Sequence, residues 1–191
     1  MASRKVNINI PNVSSLNIEI KLDGEWQKLD NLSNHLQSSV LRGYEKGVNI
    51  FSTRLLRIVR RAIRTGIPPP NSGVTWPPHK QSTIDRYGSH TLFNLTGQYS
   101  RSIGLHQYRS RTLIGLPLQK ARVSASGKSK TITLNQIAII LEYGNDKIPA
   151  RPLYAPSYKS AGGPQGLKKE LLKNIRSQLY KETGIRANQV R

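Results

Sequence analysis

Four histidines, His35, His79, His90 and His106, are the first residues to weigh for chemistry. A metal site needs histidines and carboxylates in clusters, and none of the four has a second ligand three or four residues away. Each reads as a surface or hydrogen-bonded histidine. Asp85, Glu142 and Asp146 would suit a metal-dependent nuclease in a basic protein, yet no spacing among them requires one. Serines are plentiful, but no Gly-x-Ser-x-Gly elbow frames one as a nucleophile. No glycine-rich phosphate loop is present, and Gly162-Gly163 reads as a helix start before an anion site. The chain has no cysteine, which excludes disulfides, thiolate catalysis and zinc–cysteine sites. The expectation is a protein that is not an enzyme and holds no cofactor or metal.

Two charges stand out by their surroundings instead. Glu142 follows the apolar run Ile137-Ala138-Ile139-Ile140-Leu141, and Arg151 sits between Pro149 and Pro152. A charge in apolar surroundings needs a partner, so the residues predict a partly buried Arg151 held by an acid. Glu142 is the first candidate and an acid on a neighbouring subunit the second. Ile137, Ile140 and Leu141 recur at helical spacing, which predicts a short helix over Asn135 to Tyr143. Asn135 is the expected N-cap and Gly144 the terminator. The prolines then hold Ile148 to Pro152 extended. No cofactor motif has this form. It reads as a packing and docking device.

The charge balance points to the partner's chemistry. Thirty Lys and Arg stand against ten Asp and Glu, a formal charge of +20. That exceeds the ~2–8 usual for a small domain. It points to a polyanionic partner, whether nucleic acid, an acidic protein surface or a membrane face, rather than to solubility alone. No apolar run approaches the ~18 residues of a membrane span, and the N-terminus lacks the apolar core of a signal peptide. A cytoplasm-like site of assembly is expected.

The elements that must position these residues are few. Val6-x-Ile8-x-Ile10 and Leu16-x-Ile18-x-Ile20-x-Leu22 alternate as two half-buried strands, with a turn at Asp23-Gly24. From Leu29 to about Arg64, capped at Asp30 or Ser33, runs the longest periodic segment. Its apolar stripe is Leu41, Tyr44, Val48, Phe51, Leu55, Ile58 and Ala62. Gly43 and Gly47 weaken this helix and allow another backbone to come close. Arg54, Arg57, Arg61 and Arg64 form a second stripe, broadened by Arg60. It is either a solvated face or a contact for phosphates or an acidic protein, with an acidic neighbour slightly preferred. Gly66 ends the helix, and Pro68 to Gly73 form a stiff linker and a turn. Thr96 is expected to cap a helix over Gly97 to Ile103. Leu105 to Leu118 reads as strands with a corner at Arg109 to Arg111. Ala121 to Lys130 reads as a flexible basic loop, in which Lys128 and Lys130 are further contacts for an acidic partner or DNA. Thr131 to Leu134 is a strand, and Tyr154 to Gly163 an irregular connection. Pro164 opens an amphipathic helix with Leu167, Leu171, Leu172, Ile175 and Leu179 on one face, ended by Gly184.

One resemblance organises the middle and end of the chain. Gly73-Val74-Thr75-Trp76-Pro77-Pro78, Ser82-Thr83-Ile84, Leu92-x-x-Leu95-Thr96-Gly97-x-Tyr99-x-x-Ser102-Ile103, Leu141-Glu142-Tyr143-Gly144 and Ile148-Pro149-Ala150-Arg151-Pro152 occur in that order before a final basic helix. Together they resemble the tailed-phage virion-morphogenesis family, the tail-completion or neck proteins. Pro78 stands where leucine is usual, and Tyr99 where a small apolar residue is. The resemblance implies an α+β fold: a twisted, mainly antiparallel sheet packed by the two long amphipathic helices. The expected organisation is an N-terminal β arm over 1–28, one domain over 29–184 and a frayed basic tail over 185–191. The resemblance further implies a structural protein of the neck or tail, without enzyme activity, forming a ring around the DNA path. Six copies are expected, with twelve as the alternative. The implied neighbours are the head connector or adaptor and the tail terminator or tail tube, with no membrane. Trp76, Glu142, Tyr143 and Arg151 are then the docking candidates. The rival class is a soluble basic nucleic-acid-binding protein that uses the arginine stripe and the basic loop.

Overall fold

The computed structural model describes residues 3–8, 16–21, 27–87, 98–108, 111–116, 120–125 and 128–184. In order they form β1 (Ser3–Ile8), β2 (Leu16–Lys21), α1 (Gln27–Thr65), α2 (Gln81–Tyr87), α3 (Gln98–Ser102), β3 (Gly104–Tyr108), β4 (Arg111–Gly115), β5 (Lys120–Ala125), β6 (Lys128–Thr133), α4 (Leu134–Tyr143), α5 (Tyr154–Ser160) and α6 (Gly163–Thr183).

The expected sheet packed by two helices does not form. Helices dominate, and the described strands pair only two by two: β1 with β2, β3 with β4, and β5 with β6. Alternation in a sequence marks the faces of a strand but not its partners. Here each strand finds its neighbour in sequence, and the pairing closes locally. The basic loop expected over Ala121 to Lys130 is itself such a ribbon. β5 and β6 run antiparallel with Arg122 opposite Thr131 and Val123 opposite Lys130. The irregular connection expected after Tyr154 is α5.

The chain divides into two compact units. The first takes residues up to Phe51, 109–111 and 164–191, and so includes the start of α1 and nearly all of α6. Leu36, Val40 and Phe51 on α1 and Ile175 and Leu179 on α6 are buried in it. The line of burial on α1 passes through its glycines. A Cβ on Gly43 would lie 2.5 Å from the Cα of Ile175, and one on Gly47 2.9 Å from the Cα of Leu171. The two helices therefore cross backbone to backbone, as the glycines suggested. The expected apolar stripe holds at Phe51 and Ala62, which are buried, but not at Leu41, which is 46% exposed; toward the start of the helix the buried positions run Leu36, Val40, Gly43 and Gly47. Near the end of the crossing, the Glu182 carboxylate accepts from Ser39 and Gln178 and lies 3.5 Å from Arg42 Nη1. The Ser39 and Gln178 hydrogen bonds hold its carboxyl below the usual range; burial opposes them, and Arg42 and His35 add to the lowering.

The second unit holds the rest. Its core is Val59, Ala62, Ile63, Trp76, Tyr99, Ile103 and Leu153, with Ile137, Ala138 and Leu141 of α4 packed against it. Gly66 takes a positive φ of 67° and donates its N–H to Ala62, ending α1 where expected. Gly184, at 69°, does the same for α6 through Tyr180. The expected turn at Asp23-Gly24, the cap at Thr96, the residues Leu92 to Gly97, most of the Arg109 to Arg111 corner and the tail over 185–191 lie outside the described residues, as do the side chains of Asp30 and Ser33.

Candidate functional site

The site grows from the end of α4. The helix starts one residue earlier than expected, and its N-cap is Thr133 rather than Asn135. The Thr133 hydroxyl accepts from the Gln136 N–H, and the Gln136 side chain accepts from the Thr133 N–H. This reciprocal pair satisfies two backbone donors at once. At the other end Gly144, φ 75°, donates its N–H to Ile140. A Cβ there would meet the Ala150 nitrogen at 2.7 Å, so both the conformation and the space require glycine.

Beyond Gly144 the chain folds back on the helix it has just left. Asn145 Oδ1 accepts from the N–H groups of Lys147 and Ile148 at 3.0 and 2.7 Å. The Arg151 N–H then donates to the Leu141 carbonyl at 2.6 Å. This return places Leu153 and Tyr154 beside the helix end. Glu142 Oε2 accepts from their N–H groups at 2.7 and 3.4 Å. Glu142 thus caps α5, whose own N-cap, Leu153, has no side-chain oxygen to offer. A carboxylate at a helix N-terminus also meets the positive end of the helix dipole.

Arg151 is 4% exposed, and its guanidinium meets carbonyls rather than a carboxylate. Nε donates to the Pro77 carbonyl and Nη2 to the Pro78 carbonyl, each at 3.0 Å. In return Trp76 Nε1 donates to the Pro152 carbonyl at 3.0 Å, across seventy-six residues. The expected pair between Arg151 and Glu142 is therefore replaced: the arginine binds one segment and the glutamate another. The reason lies in the prolines. Pro77, Pro78, Pro149 and Pro152 have no N–H to give. Two such strands cannot form an ordinary backbone ladder, and an indole and a guanidinium supply the missing donors. Burial lowers the pKa of Arg151, but an arginine keeps its charge in proteins.

Beneath the clasp lies a tyrosine pair that sequence reading did not anticipate. Tyr99 of α3 is buried and hydrogen-bonded to Tyr154 of α5. Burial pushes the Tyr99 hydroxyl well above the ordinary phenol range, with Tyr154 and the Glu142 charge adding to the shift. Tyr154 is raised chiefly by burial too. Both phenols stay neutral and serve as hydrogen-bonding core.

Of the four docking candidates, Trp76, Glu142 and Arg151 thus converge on one clasp, where they hold the chain to itself. Tyr143 does not join them: it is 78% exposed, next to Ile139 at 58% on the same helix face. Arg54, Arg57, Arg61 and Arg64 all lie exposed on α1. Arg60 is exposed as well but ties α1 to the residue that follows α3 by donating to the Ile103 carbonyl at 2.9 Å. Lys128 and Lys130 lie on β6 opposite Ala125 and Val123, and their side chains are outside the described residues. Among the described residues no three metal-ligating side chains come together, and no helix is long and apolar enough to cross a membrane. The carbonyls of Pro77 and Pro78 carry no mark in a sequence, so the partners of Arg151 were not foreseeable there. In comparison with known proteins, no family model, no curated protein and no solved structure matches the chain.

Proposed function

We propose that the protein is a structural component of a tailed-phage virion, placed at the neck or at the tail end. There it joins the head connector or adaptor to the tail terminator or tube around the DNA path, as a ring of identical copies, six in the simplest case. The observation that carries this reading is the ordered set of motifs, whose two proline segments are one physical unit. Trp76-Pro77-Pro78 and Ile148 to Pro152 lock together through three side-chain hydrogen bonds. A clasp of that kind suits a part that must hold its shape while neighbours dock on it repeatedly. The exposed Tyr143 and Ile139 beside it are where a neighbouring subunit would sit. The reading does not rest on the sheet that the family resemblance implied.

The experiment is removal of the gene from the phage that encodes the protein. Filled heads and free tails should accumulate without joining, and the protein supplied separately should restore joined particles. Normal yields of joined, infectious particles would overturn the proposal.

A further inference from the structure

Within residues 52–65 every exposed position of α1 is an arginine or a threonine: Thr53, Arg54, Arg57, Arg60, Arg61, Arg64 and Thr65. Arg57, Arg61 and Arg64 follow at spacings of four and three, which sets them along one side of the helix. With Arg54 the stripe is roughly 15 Å long at 1.5 Å per residue. We propose that this face binds the phosphate backbone of double-stranded DNA without reading its sequence. The proposal stands on charge and shape alone and does not depend on the virion reading.

Three observations choose the occupant. The first disfavours a second copy of the chain. Between Glu45 and Glu142 there is one acid, Asp85, against fifteen lysines and arginines. Among the described acids Glu142 caps α5, Glu170 is buried and Glu182 is held by Ser39 and Arg42. Of the acids whose side chains are described, only Glu45, Asp85 and Asp146 remain exposed, and they are scattered; with Glu19, Asp23, Glu25 and Asp30 counted as well, the whole chain still carries +20. Another copy therefore brings more like charge than neutralising charge. The second observation disfavours an acidic protein. Protein interfaces centre on apolar or aromatic anchors within a polar rim, and no exposed position of residues 52–65 is apolar. The third favours a duplex over a single strand. Single-strand grooves interleave cations with aromatic rings for base stacking, and this face has none. A helix fits the major groove of B-form DNA, whereas the deep, narrow groove of duplex RNA does not admit side chains. The choice of arginine over lysine is consistent, because its planar fork matches phosphate oxygens in pairs.

The test is fluorescence anisotropy of the full-length protein with two unrelated 30-base-pair duplexes, from 50 to 200 mM salt. The wild type should bind both alike, and its affinity should fall steeply with salt. The triple variant Arg57→Gln, Arg61→Gln, Arg64→Gln should bind at least about tenfold more weakly at low salt. Its log–log salt slope should be smaller by about 2–3, since each phosphate contact contributes ~0.9. Its melting should match the wild type, because the three side chains are exposed. A control removes equal charge elsewhere, as Lys168→Gln, Lys169→Gln, Lys173→Gln on α6, and should leave most of the affinity in place. The proposal is overturned if the wild type fails to bind duplex at 50 mM salt. It is equally overturned if the arginine variant keeps the wild-type slope, or if the lysine control loses as much affinity. Competition by polyglutamate as effective as competition by DNA would assign the face to an acidic protein instead.

Discussion

Replacing Arg151 by alanine removes the donor side of the clasp, and its cost can be worked from the structure. The guanidinium makes two hydrogen bonds of 3.0 Å, to Pro77 and Pro78. Bonds from a charged donor contribute roughly 1.5–3 kcal/mol each. Pro77 and Pro78 are exposed residues, so water replaces the lost donor at both carbonyls and the lower end applies. The Arg151 side chain is itself buried at 4% exposure, and truncation also leaves a void. The net loss is about 3–4 kcal/mol, which in a chain of this size lowers the melting temperature by roughly 6–16 °C. Arg151→Lys keeps the charge but not the fork, and one ammonium cannot meet both carbonyls in the same geometry. It should lose about half as much. The assay is thermal and urea unfolding of the three proteins side by side, each carrying Trp26→Phe so that Trp fluorescence reports on Trp76 alone. An alanine variant that melts within a degree of the wild type would refute the reasoning, as would a lysine variant worse than alanine.

Other expectations follow from the same geometry. Glu142→Ala should cost about 1–2 kcal/mol by uncapping α5, with Glu142→Gln recovering part of it, as read by urea unfolding. Gly43→Ala should be destabilising by about 1–3 kcal/mol although alanine favours helices, because its Cβ meets the Ile175 backbone; a stabilised variant would show that α1 and α6 do not cross so closely. Glu182 has a lowered pKa in the folded chain, so its contribution is present above the ordinary carboxylate range and is lost as pH falls through the lowered value. Unfolding between pH 6 and pH 3 should show this loss in the wild type and a smaller one in Glu182→Gln.

Much of the helical framework was legible, and the reasons are local. Gly66, Gly144 and Gly184 end their helices as read, because a positive φ at glycine is a property of one residue and its turn. Toward its start, the burial line of α1 was missed by about one position. Apolar side chains mark burial in a sequence, but here Gly43 and Gly47 occupy the line, and a missing side chain leaves no hydrophobic mark. The sheet came from the family resemblance and not from the residues; the segment that forms β5 and the start of β6 was read as a loop, and a strand read from its own residues shows no partner. Within the site, the two prolines flanking Arg151 correctly signalled a fixed, buried arginine. Its partner was misassigned, since opposite charge is visible in a sequence and a backbone carbonyl is not. The capping role of Glu142 was hidden for a related reason: the N-cap of the helix it serves, Leu153, lies eleven residues away.

The central proposal is that this chain is a permanent part of a virion, and the most direct measurement is quantitative mass spectrometry of gradient-purified particles of the phage proposed to encode it. The account predicts that the protein co-sediments with intact virions at a fixed copy number of six, or twelve if the ring is doubled. Its absence from particles that are intact and infectious would contradict the account.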